Sequence, residues 1–144
     1  IEKTTYALPP QRFEAGTPNS CGLFAAEAGL ELLLEVGMEA VAEQIALVTS
    51  LIKAAVDSHG WDLVTPRERH GAMLAIRSTD APTLVTRLGQ RNIILTERDG
   101  NIRIACHFYN NAADVEKLVA ALTAESALLA ELSIYQRSHR RVAP

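Results

Sequence analysis

Asn101-Ile102-Arg103-Ile104-Ala105-Cys106-His107-Phe108-Tyr109-Asn110-Asn111 reads as a strand that runs into a helix cap. Side chains alternate faces along a strand. Ile102, Ile104, Cys106 and Phe108 therefore share one apolar face that needs a core. Arg103, Ala105 and His107 share the other. A cation thus stands on the open side of a strand whose back is buried. Two readings of Arg103 remain open at this point. Charged side chains mostly lie at the surface, which makes it a solvated edge-strand residue. A guanidinium held rigidly there can also grip a carboxylate through two parallel hydrogen bonds.

Working outward, Asp99-Gly100 is a two-residue hairpin signal, and it joins this strand to one expected over 93–98. On the other side, Asn111 with Asp114 three residues on has the form of a capping box, with Asp where Glu or Gln is usual. Val115, Leu118, Val119 and Leu122 then stripe a helix. A last helix is expected over 125–135, with Leu128, Leu129 and Leu132 on its apolar side, followed by a basic, solvated tail over 137–141. Upstream, 71–77 reads as a strand. Asp80 caps a short helix with Pro82 in its first turn, ending at Gly89. Residues 61–70, with Pro66 and the run Arg67-Glu68-Arg69-His70, read as a solvated loop.

Two long helices come before these elements. Asn19 is the N-cap of the first, over 20–36, where Leu23, Ala26, Leu30, Leu33 and Leu34 repeat at helical spacing. Gly37 stops it. The second, over 39–58, buries a stripe of Val41, Ile45, Val48, Ile52 and Val56 and ends at Gly60. One glycine between them implies a bend within one domain. Residues 1–19 form an irregular lead-in, with Pro9-Pro10, Gly16 and Pro18. The expected fold is α+β, an α/β small domain. Two N-terminal helices are followed by β-α-β-β-α-α, with a small, mostly antiparallel sheet covered by helices on one face. The expected organisation is a single domain over 1–144: lead-in 1–19, long helices 20–60, and a sheet-and-helix layer 61–144.

The chain has 144 residues, 48% of them hydrophobic, so it can bury a real core. A net charge of -3 gives no reason to expect nucleic acid or membrane. Cys21 and Cys106 cannot build a disulfide framework and fit a reducing cytoplasm. Cys106 packs on the apolar strand face; Cys21, near a helix N-terminus, also reads as a packing residue. There is no phosphate-binding glycine loop, dinucleotide fingerprint or nucleophile elbow. His59, His70, His107 and His139 do not cluster in sequence, and no metal site is expected. The first residue is Ile1, without an initiator methionine, which suggests a fragment.

Arg12-Phe13-Glu14-Ala15-Gly16-Thr17-Pro18-Asn19 resembles the Arg-Phe-Glu-Ala-Gly-Thr-Pro-Asn signature of class V aminotransferases. These are fold-type-I pyridoxal phosphate (PLP) enzymes that include cysteine desulfurases, kynureninases and isopenicillin-N-epimerase-like proteins. Arg103 to Asn111 resembles the family's Arg-Ile-Ser-Pro-His-Phe-Tyr-Asn-Thr segment, with Ala105 and Cys106 in place of Ser and Pro. The resemblance covers nearly the whole chain and implies the C-terminal small domain of such an enzyme. It implies that Arg103 binds the substrate α-carboxylate, which favours the second reading above. It also implies that Thr17, at the Gly16 turn, reaches the PLP phosphate of the other subunit of a homodimer. The implied substrate is an amino acid.

No catalytic residue is expected in this chain. The family's Schiff-base lysine lies before the first motif, and Lys3, Lys53 and Lys117 lack its context. The fragment alone is therefore expected to be inactive. A cysteine desulfurase is not expected either, because the connection from Thr96 to Arg103 is a tight hairpin without a cysteine. The rival expectation is a non-catalytic dimerisation or ligand-binding module that retains the fold.

Overall fold

The computed structural model describes residues 5–14 and 16–132. Two units are distinct, one over 1–38 and one over 39–144. In the first, a 3-10 turn at Gln11–Phe13 precedes helix α1, Ser20–Val36. Asn19 caps α1 as expected, its side chain accepting from the Gly22 amide at 3.1 Å. A Cβ on Gly22 would lie 2.5 Å from Asn19 Nδ2, so a side chain there would displace the cap. No residue of α1 is buried; Leu23, Phe24, Leu30 and Leu34 are all exposed. Helix α2, Met38–His59, belongs to the second unit apart from its first residue. It buries Val41, Val48, Thr49, Ile52 and Val56; of the expected stripe Ile45 is only half-buried, and Thr49 is added. Thr49 is tolerated there because its hydroxyl donates to the Ile45 carbonyl at 2.8 Å.

The second unit holds a three-stranded antiparallel sheet. Its strands are β1 (Met73–Arg77), β2 (Thr96–Arg98) and β3 (Asn101–Ala105), in the order β1-β3-β2. The β2–β3 turn has positive φ at both central residues, 52° at Asp99 and 74° at Gly100. That matches the strand twist, and Asp and Gly are residues that tolerate it. Helix α3, Ala81–Gly89, connects β1 to β2. Asp80 caps it by accepting from the Thr83 amide. Helix α4, Ala112–Ala124, opens with both halves of the Asn111–Asp114 capping box.

Leu74, Ile76, Ile102 and Ile104 pack against Val48, Ile52 and Val56 of α2, Leu84 and Leu88 of α3, and Val115, Leu118 and Leu122 of α4. Burying each such side chain contributes about 1.5–3 kcal/mol. One sheet face is thus covered by helices, as the α+β reading expects.

The strands are shorter than expected: β1 starts at Met73 and not at 71, β2 at Thr96 and not at 93, and β3 ends at Ala105, before the half-buried Phe108. Two further stretches differ in kind. Residues 61–64 are not a solvated loop. Leu63 bridges Ile76 beside β1, and Trp61 and Leu63 are each 3% exposed. The polar run that follows hides a two-residue alternation in which Trp61 and Leu63 point inward. The expected last helix is only a 3-10 turn at Ser126–Leu128. Beyond it Leu129 bridges Ser78 and Glu131 bridges Trp61, so strand-like pairing takes backbone groups that a helix would have used. The remainder of that expected helix and the 137–141 tail lie outside the described residues.

Candidate carboxylate-binding face

Opposed residues of an antiparallel pair share a face. Arg103 stands opposite Thr96 on β2 and Ala75 on β1, while Asn101 stands opposite Arg98 and Arg77. Ala105 stands opposite Met73. The uncovered face therefore carries Arg103 among small side chains, Ala75, Ala105 and Thr96.

Arg103 is half-buried in this surround. Its Nε donates to Met73 Sδ at 3.0 Å. A thioether is a weak acceptor and carries no charge. No carboxylate pairs with Arg103 among the described residues, whereas Arg77 holds Asp62 at 2.9 Å. Arg67 pairs with Asp57, and Arg87 and Arg91 share Glu125 at 2.7 and 3.0 Å. With Nε engaged, the two terminal nitrogens of Arg103 suit the two oxygens of an incoming carboxylate.

Beyond β3 the chain turns. The Cys106 amide donates to the Ala72 carbonyl at 2.8 Å, and the His107 amide donates to Asn110 Oδ1 at 2.9 Å. His107 stacks on Tyr109 with ring centroids 4.8 Å apart, and its buried Nδ1 has no partner among the described residues. Cys106 is buried on the covered side, and burial pushes its thiol pKa up. Cys21 lies exposed in α1.

The other histidines serve local contacts: His59 stacks on Trp61, and His70 Nε2 lies 2.9 Å from Lys53 Nζ. His139 is outside the described residues. No group of three or more potential metal ligands exists among the described residues. None of the described helices is long and apolar enough to cross a membrane.

Gly16 and Thr17 belong to the first unit, and both are exposed. An added Cβ on Gly16 would meet nothing within 4 Å. The segment from Gly16 to Gly22 contains a threonine, a serine and a helix start, and no carboxylate. The Ser20 hydroxyl donates to the Pro18 carbonyl at 3.4 Å and the Gly22 amide to Asn19 Oδ1, so the Thr17 hydroxyl is the side-chain donor this segment can offer a phosphate. Alternation along the sequence placed Arg103 on the open face of its strand, and the register agrees. Sequence reasoning missed Met73, Thr96 and Arg98 as companions of Arg103, because only the strand register brings them to that face.

A family profile described as aminotransferase class-V matches residues 1–118. An uncharacterized aminotransferase of Bacillus subtilis (strain 168), YcbU, is 26% identical over 122 residues, which cover 84% of this chain and 33% of that protein. A probable cysteine desulfurase 2 of Mycobacterium leprae (strain TN) is 27% identical over 140 residues, covering 85% of this chain and 34% of that protein. Among solved structures, the apo cysteine desulfurase of Thermococcus onnurineus NA1 aligns with a TM-score of 0.73 at 21% identity. That alignment covers 85% of this chain and 34% of that one, and it shows a shared fold. The chain spans about a third of the length of the curated relatives named here.

Proposed function

We propose, from the premise that this chain belongs to the class-V aminotransferase family, that it is the C-terminal small domain of a PLP-dependent enzyme acting on an amino acid. The observation that carries this reading is Arg103. It is half-buried on the uncovered sheet face and turned by Met73, with no carboxylate partner among the described residues.

Arg103 binds the substrate α-carboxylate and fixes how the amino acid lies. The sheet beneath it supplies rigidity, and Met73 holds Nε so that the terminal nitrogens face the ligand. The Thr17 hydroxyl, with the Gly16 turn, donates to the cofactor phosphate across the interface of a homodimer. When bound, PLP supplies an electron sink for the bonds at the substrate α-carbon. The lysine that anchors PLP lies outside this chain. Lys53 is in the middle of α2 beside His70, and Lys117 is on the exposed side of α4.

Relatives named as cysteine desulfurases share this fold, but sulfur transfer requires a thiol that reaches the substrate. The β2–β3 turn is a two-residue hairpin without a cysteine, and Cys106 faces the core. This domain therefore offers no persulfide-forming thiol at that turn, which favours transamination, racemisation or elimination.

In the complete protein loaded with PLP, Arg103→Ala should weaken amino-acid binding by about 2–5 kcal/mol, the cost of breaking a buried charge pair. The change is read from the cofactor's absorbance during titration. Arg103→Lys should also bind poorly, since a point charge lacks the fork geometry. Unchanged affinity in Arg103→Ala would overturn the assignment. Sequence upstream of Ile1 that lacks a PLP-anchoring lysine would favour a non-catalytic module instead.

A further inference from the structure

We propose that Arg98 is a specificity-determining residue that takes a second anionic group, so that the uncovered face selects an aspartate- or glutamate-like dicarboxylate. This rests on Arg103 being the α-carboxylate anchor.

The register supplies the geometry. Thr96 is opposite Arg103, and Arg98 is two residues further along β2. Arg98 therefore lies on the same face, as the diagonal neighbour of Arg103. Diagonal Cα atoms are about 7–8 Å apart, within reach of long side chains. A short dicarboxylate can bridge two guanidiniums at that spacing.

Charge balance points the same way. Arg77, Arg98 and Arg103 sit in two adjacent rows of one face, and like charges so placed repel. Arg77 is neutralised by Asp62 at 2.9 Å. Arg98 has only a 3.8 Å contact with Asp99 in its own turn, and both side chains are largely solvated. That leaves two cations without a close carboxylate among the described residues. A monocarboxylic ligand would neutralise one of them; a dicarboxylic ligand would neutralise both.

The hairpin also limits where Arg98 can reach. Asn101 Nδ2 donates to the Arg98 carbonyl at 3.3 Å and to the Asp99 carbonyl at 3.0 Å, pinning the backbone below the guanidinium. Thr96, Ala75 and Ala105, which flank Arg103 on this face, have short side chains.

The test is calorimetric titration of the complete, PLP-loaded protein with succinate and with propionate. Wild type should bind succinate more tightly. Arg98→Gln should lower succinate affinity about tenfold, the size of one partly exposed charge-assisted pair. Propionate affinity should be unchanged, and Arg98→Lys should recover part of the succinate loss. Arg103→Ala should weaken both ligands. Succinate binding that is indifferent to Arg98→Gln, or equal losses for both ligands, overturns the role of Arg98 while leaving Arg103 in place. If Arg103→Ala also binds both ligands normally, the carboxylate anchor itself is wrong, and Arg98 falls with it.

Discussion

Leu74, Ile76, Ile102 and Ile104 are at most 4% exposed, while Met73, Ala75, Arg103 and Ala105, their neighbours in sequence, all reach solvent. The same strands thus carry two chemistries. One face is apolar and covered by α2, α3 and α4. The other is low, polar at its centre and uncovered. Alternation keeps the two independent, because a substitution at one position enters only one face. Stability should therefore follow the covered face and ligand binding the uncovered one.

The strongest attack on this division is Leu74→Ala. Leu74 is fully buried, so truncation should cost about 2–5 kcal/mol of stability, read from denaturant unfolding. The folded fraction should keep its carboxylate affinity. A smaller effect is expected from Cys106→Ser, which places a hydroxyl on the covered face. An unsatisfied hydroxyl there should cost about 1–3 kcal/mol. The complete protein should show no cysteine-dependent release of sulfide or persulfide. Release that vanishes in Cys106→Ser or Cys21→Ser would mean that a thiol takes part in chemistry after all, and for Cys106 the division between faces would fail.

Asn111→Ala removes the α4 cap and should cost about 0.5–2 kcal/mol, with ligand binding intact. Asp80 gives the mildest probe. Hydrogen bonds from Thr83, side chain first and backbone second, hold its carboxyl below the usual aspartate range. A depressed folded pKa contributes stability that is present above the unfolded value and lost as pH falls through the folded one. Melting should therefore drop on acidification below about pH 4, and Asp80→Asn should flatten that slope. An equal slope in the variant would mean that the α3 cap does not contribute to covering the sheet.

Much of this was legible in the sequence where the signal is local. The bounds of α1, the Asp99-Gly100 turn and the Asn111–Asp114 box depend on residues within a few positions of each other. The misses are non-local. Trp61-Asp62-Leu63-Val64 alternates over too short a run to declare itself beside Pro66 and the charged residues that follow. Leu128, Leu129 and Leu132 have helical spacing, yet pairing of Leu129 with Ser78 and of Glu131 with Trp61 decides their backbone. The apolar repeat of α1 was read correctly as a helix, though the described residues bury none of it. For the site, alternation put Arg103 on the open face. Naming Met73 and Arg98 as its companions required knowing which residues oppose which across the sheet.

The strand order has a consequence for how the chain is made. β3 lies between β1 and β2 but is the last of the three to be synthesised. β2 meets its partner almost at once through the two-residue turn. β1 must wait until the ribosome has added everything from Ser78 through Ala105, a matter of seconds at roughly 5–20 residues per second. Meanwhile Met73-Leu74-Ala75-Ile76-Arg77 is a nascent strand with both backbone edges open and two large aliphatic side chains. Leu84 and Leu88 of α3 emerge in that interval and are the first apolar cover within reach. Lengthening the α3 connection would extend the exposure, and it should lower soluble yield during translation more than it lowers the equilibrium stability of the finished domain.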